Sequence, residues 1–504
     1  MKQEPLKRRR PAARKRGQKQ TLRAVVLSVL AVSVIALCLG IWTRLPGEDV
    51  PVGGVEPPEE VLSPASSVAT PEPEPEPQPV VETIRFSATG DNLIHSPIYN
   101  QAARRAGEDG KYSFDYCYEH IAPFYAEQDV NWINQETLCS DTLAPSTYPC
   151  FSTPGDCARA LYRAGVRVFS LSNNHTYDKG ASGIAATLQF WESMPEDVVT
   201  TGLWCGEEDY DRIPLQTVNG VTIAYLSYTE HTNGIRQNKN MTANVIYTSQ
   251  TNVIEHQVRL ARQQADFVVV GVHWGVENSH AVVDSQRTLA QNLADWGADV
   301  IVGTHPHVLQ DAQWLTAADG RRSFVAFSLG NFLSTQSHPD QLVGAILTLQ
   351  LQKTTQPNGS VQCEVLAPQL HPTVTHYDTG KTNVRTYLLR DYTQELAAAH
   401  GVRANYSDFS LDRIQKIALN NISASFLALT KKCEMIERCP ATRAERRTFY
   451  VRSIEDQYRD RPDDDQRAGR SVPGQQSVPV SGYFCRDRRS GGYDQPERSP
   501  RHYH

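Results

Sequence analysis

The sequence predicts an α/β fold in which short buried strands deliver polar side chains to one edge of a sheet. Three stretches carry that expectation. Val166-Arg167-Val168-Phe169 reads as a buried strand running into Ser170-Leu171-Ser172-Asn173-Asn174-His175-Thr176-Tyr177-Asp178-Lys179-Gly180, and Gly183 to Trp191 reads as the start of a helix. Asp266-Phe267-Val268-Val269-Val270-Gly271-Val272 is a nearly continuous apolar run, as in a central strand covered on both faces, and it delivers His273-Trp274-Gly275-Val276-Glu277. Asp299-Val300-Ile301-Val302-Gly303 does the same for Thr304-His305-Pro306-His307. The C-terminal ends of strands are where ligands bind in open α/β sheets.

Taken from its start, the chain opens with a basic segment, residues 1–23, holding ten Lys and Arg. Ala24 to Trp42 follows with 19 uncharged residues, enough to cross a bilayer as a helix and longer than the apolar core of a cleaved signal peptide. We expect a single-pass transmembrane anchor over 24–42. The positive-inside rule then puts residues 1–23 in the cytoplasm and the main domain outside the cell membrane. Residues 43–82, with Pro71-Glu72-Pro73-Glu74-Pro75-Glu76-Pro77, read as an extended, self-repelling extracellular linker. A formal net charge of −6 over 504 residues points to no polyanionic partner, and no nucleic acid is expected. If the domain is exported, Cys117, Cys139, Cys150, Cys157 and Cys205 can form disulfides, whose pairing sequence does not give; a zinc reading lacks paired CxxC spacing.

The folded domain is expected over 83–430. Ile84 to Ala88 is a strand ending at Thr89-Gly90-Asp91, where Gly90 allows a sharp turn. Asp129 to Ile133 is a second, delivering Asn134-Gln135-Glu136, in which Asn134 and Glu136 can point the same way. A helix from Asp156 to Arg163 is closed by Gly165. Val221 to Tyr228 is a further strand, and Leu289, Leu293 and Trp296 share a helix face that stops at Gly297. Phe324 to Leu329 ends in Gly330-Asn331-Phe332. Val343 to Gln352 and Ser360 to Val365 flank Pro357-Asn358-Gly359 as a hairpin, and Ser410 caps a helix carrying Leu411, Ile414, Ala418 and Ile422. Residues 431–504, rich in Arg and poor in aliphatics, read as a disordered tail.

Asp91, Glu136, Asn174, His175, His273, His305 and His307 thus all follow strands. Two carboxylates, an amide and several imidazoles suffice for two divalent cations sharing a carboxylate, an arrangement that acidifies water and clamps an oxyanion. The mixed oxygen and nitrogen set suits Mn, Zn or Fe.

At these residues the chain resembles the CapA/PgsA-type poly-γ-glutamate capsule biosynthesis family, whose domain is similar to the calcineurin-like metallophosphoesterases. The matching pieces are Gly90-Asp91, Asn134-x-Glu136, Asn173-Asn174-His175-x-x-Asp178-x-Gly180, His273-Trp274-Gly275-x-Glu277, Gly303-x-His305-Pro306-His307 and Ser328-Leu329-Gly330-Asn331-Phe332, in the family's order over about 84–335. The resemblance implies an αββα sandwich of two mixed sheets. It implies that Asp91 and His307 hold one metal, Asn174, His273 and His305 the other, and that Glu136 bridges them. His175 would be the acid near the leaving group, oriented by Asp178; Asn134, Glu277 and Asn331 would support the ligands or touch substrate. The chain departs from the metallophosphoesterase Asp-x-His at the first strand, where it has Leu93, and His95 is the candidate replacement. The implied role is synthesis or export of poly-γ-glutamate, with poly-γ-glutamate synthase subunits and an anionic polymer as partners. Within that role the domain is expected to be either a metal-dependent hydrolase or a non-catalytic component of a polymer-synthesis complex.

Overall fold

A computed structural model describes residues 77–108 and 111–429. The basic segment, the expected anchor over 24–42, most of the Pro/Glu linker and the tail from 431 lie outside the described residues. Among the described residues no helix is long and apolar enough to cross a membrane.

Two mixed sheets form the domain. The first is built on β1 (Val80–Asn92), which begins inside the stretch assigned to the linker. On one side β1 runs parallel to β2 (Val130–Asn134), and β3 (Val168–Ser170) and β4 (Val199–Thr201) continue that half. The second sheet centres on β6 (Val221–Thr229), β7 (Phe267–His273), β8 (Val300–Thr304) and β10 (Arg322–Leu329), all parallel. Its edges are β5 (Leu215–Val218) and β9 (Leu309–Thr316), both antiparallel to their neighbours. The short strand β11 (Asn331–Leu333) returns to pair parallel with β1, setting Asn331 beside Asp91. On the other side of β1 lies an antiparallel run of β12 (Val343–Thr355), β13 (Val361–Asp378) and β14 (Thr382–Leu388).

Side-chain alternation along strands makes the layers. Ala224, Leu226, Val268, Val270 and Ile301 bury against Ile254, Val258, Leu289 and Leu293 of the helices Thr251–Gln264 and Asp284–Trp296. Their neighbours Ile223, Tyr225, Val269, Val300 and Val302 face the other way, into a core shared with Ile84, Phe86 and Ala88 of β1. The sheets touch closely: a Cβ on Gly271 would stand 2.7 Å from the Trp132 ring, and the Ser170 and Ser227 hydroxyls are 2.6 Å apart. Ala158, Leu161, Phe190 and Trp191, from the helices Asp156–Ala164 and Gly180–Glu192, pack on the first sheet. The expected αββα sandwich of two mixed sheets is therefore the observed architecture.

Several expectations change in detail. No turn occurs at Gly90, because β1 continues to Asn92 with a register shift between Thr89 and Asp91. Glycine is required there by approach, since a Cβ would stand 2.0 Å from the Gly330 carbonyl oxygen. The hairpin strands are longer than expected, with β13 running 18 residues. Cys117, Cys139, Cys150 and Cys157 are free thiols, whereas Cys205 is disulfide-bonded. Burial explains two of the free ones: the Cys157 sulfur is met by the Tyr118 hydroxyl and the Asn92 amide, and the Cys117 sulfur by Gln101.

One buried imidazole sets a pH response. His400 is 2% exposed; its Nε2–H donates to the Thr375 carbonyl and its Nδ1 accepts from the Val402 N–H. Burial holds its pKa down at about 4, against the raising influence of that carbonyl. An unfolded histidine titrates near about 6.5, so between these values the unfolded chain binds the extra proton and stability falls as pH falls. We expect chemical denaturation to show a loss of up to about 3 kcal/mol from this group between pH 6.5 and 4. The slope should shrink in His400→Gln; an unchanged slope would contradict the assignment.

Candidate metal centre

The ends of β1, β2, β7 and β8 and the loop after β3 converge on one buried site. Asp91 is fully buried and its backbone N–H donates to the Gly330 carbonyl at 3.0 Å. Asn134 Nδ2 donates to Asp91 Oδ1 at 2.8 Å, which fixes the carboxylate. Its Oδ2 then faces His307 Nδ1 at 3.2 Å and the His305 backbone N–H at 3.3 Å.

Glu136 occupies the centre. It is fully buried, and its Oε1 is 3.7 Å from Nε2 of both His273 and His307. Among the described residues neither of its carboxylate oxygens has a hydrogen-bond partner. Asp91, Glu136 and His307 form one group whose ligand atoms all lie within 4.8 Å of one another.

A second group surrounds His273 Nε2. Asn174 Oδ1 is 3.0 Å away, His305 Nδ1 is 3.1 Å away, and Glu136 Oε1 completes the set. The other ring nitrogen of His273, Nδ1, meets Thr304 Oγ1 at 3.0 Å, which holds the ring with Nε2 directed inward. Ligands about 2.0–2.2 Å from a common cation lie about 3 Å apart, the separation His273 Nε2 keeps from Asn174 Oδ1 and His305 Nδ1, whereas Glu136 Oε1 stands 3.7 Å from both His273 and His307.

The backbone is bent to present the imidazoles. His305 has φ 97° and His307 φ 60°, left-handed values that non-glycine residues adopt only where surroundings enforce them. Gly303 ahead of them has no room for a side chain, since a Cβ would stand 1.9 Å from the Phe327 carbonyl oxygen.

Beside this centre, His175 Nδ1 lies 2.8 Å from Asp178 Oδ2. Asp178 also accepts from the Phe151 backbone N–H at 2.6 Å, and the Phe151 ring packs edge-on against His175 with centroids 4.7 Å apart. The loop is braced by Asn173, whose Nδ2 donates to the Gln135 carbonyl and whose Oδ1 accepts from the His175 N–H.

Electrostatics reflect the crowding. Burial pushes the Glu136 carboxyl well up, and the charges of Asp91, Glu277 and Asp178 push it further, against His307. Burial alone would lower His307, but the Glu136 and Asp91 carboxylates raise it to about 9. Burial and the neighbouring imidazoles force His273 well down and His305 to about 3, leaving both as neutral nitrogen donors.

Asn331 pairs beside Asp91; its Nδ2 donates to Gln336 Oε1 and the Gln341 carbonyl, while its buried Oδ1 has no hydrogen-bond partner among the described residues. Glu277 is exposed and acts on the cluster through its charge. His95 does not restore the ligand missing at Leu93: its Nδ1 is held 3.1 Å from the Leu93 carbonyl, and it stands outside the Asp91–Glu136–His307 group. Three residues near the site were not anticipated. Thr304 orients His273; His231 packs its ring on His305 with centroids 4.9 Å apart; Asn233 reaches Asn174 and His175 at 3.4 Å. The Asn233-Gly234 pair signals a turn in sequence, not a site.

Residues 85–336 match the family described as bacterial capsule synthesis protein PGA_cap. The chain is 27% identical over 310 residues to the PGA biosynthesis protein CapA of Bacillus subtilis (strain 168), covering 60% of this chain and 78% of that protein. It is 31% identical over 236 residues to the capsule biosynthesis protein CapA of Bacillus anthracis, covering 45% and 55%. Among solved structures it is similar, at 13% identity and a TM-score of 0.35, to the Haemophilus influenzae NAD nucleotidase NadN, over 75% of this chain and 68% of that one. A putative 5'-nucleotidase from Staphylococcus aureus is similar at 14% identity and a TM-score of 0.33, over 56% and 54%.

An unpartnered buried carboxylate destabilises a protein unless a cation joins it. In metal-free protein, Glu136→Gln is expected to raise stability by about 1–3 kcal/mol, and the rise in Tm expected of wild type on Mn addition should be absent from the variant. A destabilised variant with the wild-type Mn response would contradict a cation-binding role for Glu136.

Proposed function

The chain belongs to the bacterial capsule synthesis protein family PGA_cap, and from that membership we propose that it acts in poly-γ-glutamate synthesis or export as a metal-dependent hydrolase. Residues 24–42 would anchor it in the cell membrane with the domain outside, where it would meet poly-γ-glutamate synthase subunits and the anionic polymer. The observation that carries the hydrolase reading is the buried Glu136 carboxylate, unpartnered and equidistant from His273 and His307.

Asp91 and His307 would hold one divalent cation and Asn174, His273 and His305 a second, with Glu136 shared; Mn, Zn or Fe fits this donor set. When bound, such a pair supplies Lewis acidity and an acidified water. The chain supplies the rest. Asn134 holds the Asp91 carboxylate and Thr304 the His273 ring, so the donors are in place beforehand. Asp178 engages Nδ1 of His175, leaving Nε2 to pass a proton to a departing oxygen. Phe151 covers one edge of that ring and limits water there.

A second reading, a non-catalytic component of a polymer-synthesis complex, is favoured by one observation. Leu93 is buried at the position where the resemblance to the metallophosphoesterases implies a further ligand, and the group beside it has three donor residues.

The test is hydrolysis of an activated phosphodiester by the Mn-loaded full-length protein. We expect turnover that falls about 10²- to 10⁴-fold in His175→Ala at unchanged metal content. Absence of turnover with both metals bound would leave the structural component as the better account.

A further inference from the structure

The turn joining β13 to β14 lies beyond the family match, which ends at residue 336. It carries Lys381, which makes no ion pair among the described residues. Gly380 and Lys381 both have left-handed backbones, φ 74° and 54°, and this bend folds the Lys381 side chain onto the Thr335 carbonyl, where Nζ donates at 2.6 Å. The Thr335 backbone nitrogen in turn lies against the His95 ring, 3.3 Å from the Nδ1 that faces the Leu93 carbonyl. The His95 ring packs on Phe151 with centroids 5.3 Å apart, and Phe151 packs on His175. Lys381 is thus linked, through Thr335, His95 and Phe151, to the residue placed beside the leaving group.

What Lys381 lacks is an anion. Among the described residues its ammonium makes no ion pair, and its one printed partner is a neutral carbonyl. The acid nearest in sequence, Asp378, is occupied by His376 at 3.2 Å and Asn383 at 2.7 Å. Burial lowers the lysine's pKa and no neighbouring acid raises it. A half-buried ammonium with no counter-charge, held by a strained turn, is stabilised when an anion arrives.

We propose that Lys381 forms an anion subsite at the edge of the metal centre, taking a carboxylate or phosphate group of the substrate adjacent to the bond being cleaved. This rests on the hydrolase reading for what is cleaved, but the binding it describes does not depend on turnover. Lys381 is a specificity-determining residue in this account, because it would favour substrates with a second negative group near the scissile one. His95 packs beside Thr335, whose carbonyl orients the ammonium.

Calorimetric titration of the detergent-solubilised, Mn-loaded full chain tests the subsite with two probes, inorganic phosphate and a short γ-linked glutamate oligomer. Lys381→Met is expected to weaken binding of at least one probe about tenfold at unchanged metal content and unchanged Tm, and Lys381→Arg to retain most of it. Loss confined to the oligomer assigns the subsite to carboxylates; loss confined to phosphate assigns it to phosphate. Equal affinities of wild type and Lys381→Met for both probes, or no binding of either by wild type, would overturn the proposal. Lysine-dependent binding without hydrolysis of any ester would leave the subsite standing and remove the hydrolase reading.

Discussion

Everything at the centre of this domain is arranged around a carboxylate that the protein itself leaves unsatisfied. Glu136 is fully buried and neither oxygen has a hydrogen-bond partner, a condition that is strongly unfavourable for an isolated charge. Around it the chain gathers more groups that compete for the same compensation: a second carboxylate in Asp91 and the imidazoles of His273, His305 and His307. The protein alone can only trade one penalty for another, keeping His307 charged and His273 and His305 neutral. A cation would remove the conflict, because it would replace the missing positive charge and use the neutral nitrogens as donors.

The fold meets the cost of this arrangement with backbone approach and rigid strands. Gly90 lets β1 pass within contact of Gly330, so Asp91 and β11 lock together. Gly303 does the same between β8 and Phe327, just before the two left-handed histidines. The residues that orient the donors, Asn134 and Thr304, belong to strands buried on both faces. Such placement holds a site more tightly than loops alone would. The acid candidate His175 lies on a loop, yet the loop is tied to the Gln135 carbonyl by Asn173 and to Phe151 by Asp178.

Much of this was legible in sequence because it follows from strand ends. A buried apolar run ending in His or Asp carries its own periodicity, and Phe267–His273 and Val300–Thr304 lie where that reading put them. Gly165 and Ser410 marked their helix ends by conformation and by capping. Less was legible where polarity and structure part. β9 contains Gln310, Asp311 and Gln313 and gives no apolar signal, yet it pairs with β10 along its length. The far half of β13 contains Pro368 and Pro372 within a strand, against their usual preference. The free thiols of Cys117 and Cys157 followed from burial, which Cys spacing does not report. Thr304, His231 and Lys381 depend on tertiary approach and have no local signature.

The measurement that bears most directly on the central claim is anomalous diffraction at the manganese edge from crystals of the Mn-loaded protein. The account predicts two peaks on either side of the Glu136 carboxylate, one against Asp91 and His307 and the other against Asn174, His273 and His305. No peak at Glu136 in fully loaded crystals, or peaks only at surface carboxylates, would contradict it.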